Sequence, residues 1–343
     1  MSGPPEGLLA EENVMNDSRR VGILGSGSYV PERVLSNEDL EKMVDTSDEW
    51  IFTRTGMRER RIADPRQATS DLAVEAGQRA IEDAGVAPED IDLIIVATVT
   101  PDHMVPATAC LVAERLGLHA PGAFDLEAAC TGFVTALITG RAMVAAGSAR
   151  TALVIGAECM SRIVDYEDRA SCILFGDAAG AVVISADAPR GEILHTFMGS
   201  DGSGADVMKI PAGGSRRPLD MVALEERLNY LHIRGNETFK FAVGKFRELV
   251  ERQMHALDFT VDDLGLVVPH QVNYRIIESA LKKLDVDLDR IFMNLHKYGN
   301  TAAASVPVAF DEARREGRFT PGKYVSIVAF GAGLTWSSVL LRW

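Results

Sequence analysis

Positive charge is scarce in this chain: 35 lysines and arginines stand against 49 acidic residues, a net charge of -14. Nucleic acids and anionic membranes both require a basic footprint, so neither is expected as a partner. Long apolar runs are missing too. The stretches 93–99 and 325–330 fall far short of the roughly 20 residues a membrane-spanning helix needs. The first twenty residues carry Glu6, Glu11 and Glu12 and have neither a basic nor an apolar segment, which argues against a signal peptide. A disordered tail is expected over residues 1–20, with Met15 as an alternative start. Cysteine is sparse, four in 343 residues and no CxxC pair. Neither a disulfide framework nor a zinc motif is expected, and reduced thiols in the cytoplasm are. Gly25-Ser26-Gly27 lacks the third glycine and the following helix of a dinucleotide fingerprint, so it reads as a turn.

Core-forming material is plentiful at 47% hydrophobic residues. Residues 71–84 have helical periodicity and lead through Gly85 into the apolar strand 93–97. The same order returns over 239–257 and 266–268. Placing Asp90-Ile91 on Asp263-Leu264 sets a fixed offset, which also lays 150–155 on 323–328. That spacing is far longer than the roughly 20 to 50 residues of a solenoid repeat. It points to a duplicated domain, with halves at 21–190 and 191–343. The segment 131–147 carries Phe133, Val134, Leu137, Ile138, Met143 and Val144 all around its circumference, as a buried helix does. A buried helix between sheets in each half gives a five-layered α-β-α-β-α sandwich. The second buried segment, 301–316, contains Pro307, which either kinks it or marks its start.

Cys130 follows the strand-like 122–126 and opens the first buried helix, where unpaired N–H groups favour a thiolate. Alone it reads more readily as a buried structural thiol. His270 ends the strand 266–268, and Asn300 precedes the second alanine-rich helix. Both are placed at strand-to-helix turns, where open α/β layers gather ligands. The order Cys, His, Asn and the interval from Cys130 to His270 resemble those of papain-like proteases, whose histidine follows the cysteine by roughly 130 to 150 residues. Their local cysteine signature is absent, and a duplicated α/β chain does not fit that fold.

Several ordered motifs carry a stronger resemblance: Asp48-Glu49-Trp50-Ile51 with Thr53-Arg54-Thr55-Gly56, Ala128-Ala129-Cys130-Thr131-Gly132-Phe133, Phe175-Gly176-Asp177-Ala178-Ala179-Gly180, Gly235-Asn236-Glu237, Pro269-His270-Gln271, Gly299-Asn300-Thr301 and Gly333-Leu334-Thr335-Trp336. From about Val21 to Trp343 the chain resembles the β-ketoacyl-acyl-carrier-protein synthases III of the thiolase superfamily. The resemblance implies that Cys130 accepts an acyl group from a coenzyme A thioester. His270 and Asn300 then stabilise the enolate left when malonyl carrier protein loses carbon dioxide. The N–H groups of Cys130 and Ala332 form the oxyanion hole. Trp50 and Arg169 sandwich the adenine, and Arg54, Asn273 and Gly235 contact the pantetheine arm. Phe239 and Val105 shape the acyl pocket. Lys240 and Arg275, with Lys282 and Lys283, receive the acidic carrier protein. Neither metal nor cofactor is implied, and a homodimer is.

Val105 stands where acetyl-selective members carry phenylalanine, which implies tolerance of longer or bulkier starters. Two alternatives share these motifs: a relative in secondary metabolism that primes polyketides or acylates oxygen or nitrogen, and a non-catalytic partner subunit that sets chain length. The intact Cys130, His270 and Asn300 argue against the second.

Overall fold

The computed structural model describes residues 19–343; nearly all of the tail expected over 1–20, with Met15, lies outside the described residues. Segments between 22 and 185 build a five-stranded sheet in the order Gly22–Tyr29, Asp177–Ser185, Thr151–Cys159, Leu93–Ala97, Gly122–Leu126. Its last three strands are mutually parallel and the first two run antiparallel to their neighbours. Segments between 192 and 342 build a four-stranded sheet, Leu264–Pro269, Tyr324–Gly331, Thr335–Arg342, Glu192–Ser200, in which only the first pair is parallel. Strands covered by helices on both faces must be apolar throughout. Leu93–Ala97, Thr151–Cys159 and Asp177–Ser185 are accordingly buried at every position.

Two inner helices, Gly132–Ala145 and Ser305–Arg315, lie between the sheets. Phe133 and Leu137 of one and Val306 and Phe310 of the other share a core with Ile95 and Val154 of the first sheet and Val268 and Ile327 of the second. The helix Thr69–Ala84 packs Leu72, Ala76 and Ala80 against the far side of the first sheet. Gly235–Ala256 and Tyr274–Leu284 cover the second through Phe246, Leu249 and Ile277. The result is the expected five-layered sandwich.

Local geometry repeats at the offset read from the sequence. Pro88–Asp90 recurs as Val261–Asp263, Ala129–Thr131 as Ala302–Ala304, and the start of each inner helix follows at the same spacing. Left-handed residues recur with them: Gly85 (φ 66°) and Asp258 (φ 49°), then Ala129 (φ 47°) and Ala302 (φ 43°). One open alternative is decided and one expectation needs correction. Pro307 is the third residue of its helix, within the first turn where no intrahelical N–H is lost, so it marks the start rather than a kink. Gly25-Ser26-Gly27 lies inside the strand Gly22–Tyr29, not in a turn. A Cβ at Gly25 would come within 2.3 Å of the Ala84 nitrogen, and one at Gly27 within 2.5 Å of that of Ala80. Both glycines let the helix approach the sheet.

Candidate active site

The strand Gly122–Leu126 delivers the chain to a single tight helical turn, Ala129–Thr131, with Cys130 at its middle and the inner helix beginning at Gly132. Ala129 enters this turn with φ 47°, a left-handed conformation that costs a non-glycine residue about 1–2 kcal/mol. Thr131 Oγ1 lies 2.6 Å from the Ala128 carbonyl and 3.0 Å from Thr335 Oγ1, whose hydroxyl donates to the Ala332 carbonyl at 2.9 Å. The Cys130 turn is thereby tied to the hairpin at Gly331-Ala332-Gly333. Contact is so close that a Cβ at Gly331 would lie 2.8 Å from that of Cys130.

His270 follows the strand Leu264–Pro269, and its N–H donates to the Val328 carbonyl at 2.8 Å. The imidazole stands edge-on to Phe330, and Nδ1 lies 2.6 Å from Ser305 Oγ. This leaves Nε2 for chemistry. Asn300 does not sit at the end of a strand as expected; it follows the short helix Leu295–Tyr298 and forms an isolated parallel bridge with Phe175. Its N–H donates to Leu174 O at 2.8 Å, and its carbonyl accepts from Gly176 at 3.1 Å. Asn300 Oδ1 accepts the Ala302 N–H at 2.9 Å, which assigns Nδ2 as the amide donor. Cys130, His270 and Asn300 are all buried.

Burial governs the charges. The Cys130 thiol is pushed up to about 12, first by desolvation and then by the nearby Glu158 carboxylate, against a smaller pull from its own N–H. The expected thiolate is therefore not the resting form, because the dry site outweighs the helix terminus. Desolvation lowers His270 to about 3. Resting thiol and imidazole are both neutral.

Trp50 packs against the cluster that contains Cys130 and Ala302. The Arg54 and Arg169 guanidinium carbons lie 4.6 Å and 4.9 Å from its ring centroid. The expected adenine slot between Trp50 and Arg169 is thus closed, since a sandwiched base requires about 7 Å at ordinary contact distances. Arg169 is held over the ring by its donation to the Asp45 carbonyl at 2.9 Å. Asn273 joins this group through bonds within the protein. It caps the helix Tyr274–Leu284 by accepting from the Arg275 N–H at 2.8 Å and donates to the Arg54 carbonyl at 3.1 Å. Its amide retains a second N–H and a second lone pair.

Gly235 opens the helix that also carries Phe239 and Lys240, and among the described residues nothing lies within 4 Å of a Cβ built on it. Lys240 and Arg275 are exposed on two helices that pack together. Lys282 pairs with Glu278 at 3.3 Å, and the side chain of Lys283 lies outside those described. Val105 projects from a loop, 85% exposed beside Met104 at 88%. Sequence reasoning missed Ser305, Thr131 with Thr335, and Glu158. An acid inside the apolar strand Thr151–Cys159 was the signal for the last.

Residues 124–202 match the 3-oxoacyl-[acyl-carrier-protein] synthase III family, and residues 254–343 match the family describing its C-terminal part. A β-ketoacyl-[acyl-carrier-protein] synthase III of Caldanaerobacter subterraneus is 51% identical over 94% of this chain and 97% of its own length. The crystal structure of a 3-oxoacyl-(acyl carrier protein) synthase III from Pseudomonas aeruginosa superposes with a TM-score of 0.88 at 40% identity, covering 95% of this chain and 98% of that one. The priming β-ketosynthase of the R1128 polyketide pathway gives a TM-score of 0.86 at 36% identity, covering 94% and 97%.

Proposed function

This chain belongs to the β-ketoacyl-acyl-carrier-protein synthase III family, and from that membership we propose that Cys130, His270 and Asn300 carry out the family's condensation. The enzyme is an acyltransferase that condenses an acyl-coenzyme A starter with malonyl carrier protein to initiate fatty acid synthesis. The observation that supports the site assignment is the meeting of Cys130 with Gly331, at the end of the strand to which His270 is bonded.

In the first half-reaction Cys130 Sγ bonds to the acyl carbon, coenzyme A leaves, and the thiol proton passes by way of His270 Nε2 to the departing sulfur. Ser305 suits this role because its hydroxyl can accept from Nδ1–H, freeing Nε2 as a base. In the second, the bond between the malonyl carboxylate and its α-carbon breaks and the electron pair stays as an enolate. Ser305 now donates to Nδ1, so Nε2–H and Asn300 Nδ2–H both donate to the enolate oxygen. The α-carbon attacks the acyl-Cys130 carbonyl, whose oxyanion is held by the N–H groups of Cys130 and Ala332; Cys130 leaves as a thiolate and takes a proton from solvent, the one proton the loss of carbon dioxide consumes. Both substrates arrive activated as thioesters, so no cofactor is needed.

We read residues 21–190 and 191–343 as the two halves, and assign the enzyme to the cytoplasm as a homodimer that covers the exposed Met104 and Val105. The decisive experiment offers the purified protein a panel of acyl-coenzyme A thioesters and reads intact mass, then adds malonyl carrier protein. An acyl adduct on Cys130 followed by a β-ketoacyl product supports the reading. Hydrolysis without condensation, or acylation of a Cys130→Ala protein, overturns it. The likeness to the polyketide-priming enzyme favours a second reading with the same chemistry, separated by which carrier protein is used.

A further inference from the structure

The residues just before Asn300 form a helix of a single turn, Leu295–Tyr298. One turn fixes more dihedral angles than its own hydrogen bonds repay, so such a segment keeps its pose only through contacts with the rest of the molecule. Glu312, about two turns beyond Ser305 on the inner helix, supplies them. One carboxylate oxygen accepts from Tyr298 Oη at 2.5 Å, at the end of the turn, and the other from Asn294 Nδ2 at 3.0 Å, at its start. Lys297 lies 3.8 Å from the same carboxylate. Asn294 is buried and also donates its backbone N–H to Gln271 Oε1 at 3.0 Å. Gln271, the neighbour of His270, is held independently, its amide donating to the carbonyls of Pro269 at 2.8 Å and Phe292 at 3.1 Å. One helix therefore reaches both arms of the site: His270 through Ser305, and the approach to Asn300 through Glu312.

We propose that Glu312 is a positioning residue for Asn300, gripping both ends of the turn that delivers it and so aiming Nδ2 at the enolate oxygen. The inference rests on the reading of Asn300 as an enolate-binding residue. Gly299 alone separates Asn300 from Tyr298, and its φ of 66° and ψ of -154° let the chain leave the turn sharply. A Cβ on Gly299 would come within 2.6 Å of the Leu174 carbonyl oxygen. Leu174 and Gly176 hold the Asn300 backbone on one side, and the grip of Glu312 holds its approach on the other. When that grip is lost, any rotation of the turn passes through one residue to Asn300. The Cys130 turn is fastened elsewhere, to the hairpin through Thr131 and Thr335, and His270 keeps its bonds to Ser305 and Val328. Acylation therefore does not depend on the grip.

A double-mutant cycle tests this, reading decarboxylation by carbon dioxide release from malonyl carrier protein and acylation by intact mass. Glu312→Met removes both acceptor oxygens at similar volume. It should slow decarboxylation roughly 10-fold, as a small misplacement of a reacting group does, with acylation kept within about threefold. Glu312→Gln keeps an acceptor for Tyr298 and should restore most of the rate. In an Asn300→Ala background Glu312→Met should cause no further loss of decarboxylation, because no amide is left to aim. A merely structural role would slow both backgrounds alike. If Glu312→Met does not fold, Tyr298→Phe deletes one hydroxyl from the same grip and should give the same pattern at roughly threefold. Additive losses in the cycle, equal loss of both half-reactions, or loss of neither overturns the proposal. An Asn300→Ala protein that still decarboxylates at the wild-type rate would instead overturn the underlying reading of the site.

Discussion

Nδ1 of His270 lies 2.6 Å from Ser305 Oγ, with both residues buried. A buried imidazole without a partner on Nδ1 has no fixed tautomer, and both half-reactions depend on which nitrogen carries the proton. Ser305→Ala leaves that nitrogen unsatisfied at a typical cost of about 1–3 kcal/mol, or about 5- to 150-fold in rate. Acylation and decarboxylation should fall together in single-turnover measurements.

The pH dependence of stability follows from two buried groups of opposite sign. Burial raises Glu158 from 4.5 to about 7, outweighing the hydrogen bonds that lower it. Folding favours its neutral acid, so its contribution is complete below about 4.5 and is lost as pH rises through about 7. His270 is lowered from 6.5 to about 3. Its contribution is complete above about 6.5 and is lost as pH falls toward 3. Thermal unfolding of Glu158→Gln between pH 4 and 8 should therefore gain on wild type as pH rises. Parallel curves would contradict the assignment.

Trp50 carries Arg54 and Arg169 at 4.6 Å and 4.9 Å from its ring centroid, and coenzyme A must part Trp50 from Arg169 to stack there. Trp50→Ala removes the stacking face. Its KM for acyl-coenzyme A should rise about 5- to 30-fold, the equivalent of about 1–2 kcal/mol. Decarboxylation of malonyl carrier protein should stay unchanged, because the carrier protein brings no adenine.

Lys240 and Arg275 stand exposed on adjoining helices of a chain whose net charge is -14. An acidic partner is repelled elsewhere, so these two charges have disproportionate weight on encounter. Reversal to glutamate at either position should lower kcat/KM for malonyl carrier protein, most strongly at low salt, and leave acylation intact. A loss independent of salt would count against docking there.

Residues tied to local motifs were legible in the sequence, whereas those defined by contact across the chain were not. The constant offset between the halves foretold the two sheets and inner helices because apolar patterning survives in both. Glu158 and Ser305 acquire meaning only when Thr100 and His270 fold against them. The resting charge of Cys130 was misjudged for a related reason: helix-terminal position is local, but desolvation belongs to the assembled core. The closed pairing of Trp50 with Arg169 likewise depends on Asp45, far from Arg169 in sequence.

Val105 is 85% exposed in the single chain, beside Met104 at 88%, an arrangement that a soluble protein retains where a partner covers it. If a second copy supplies that cover, Val105 lines the neighbour's acyl pocket. Its small side chain then leaves space that phenylalanine would fill. Wild-type protein should acylate with branched or longer starters as readily as with acetyl-coenzyme A, and Val105→Phe should shift the preference toward acetyl. One to two lost methylenes of pocket depth correspond to about 1–3 kcal/mol, or about 10- to 200-fold in relative kcat/KM. Because the side chain acts across the interface, a mixed dimer of Val105→Phe with a Cys130→Ala partner decides the point. Its one competent site should keep the wild-type preference, since the wall there comes from the Cys130→Ala chain with Val105 intact. A shifted preference in that mixed dimer would place Val105 in the pocket of its own chain instead.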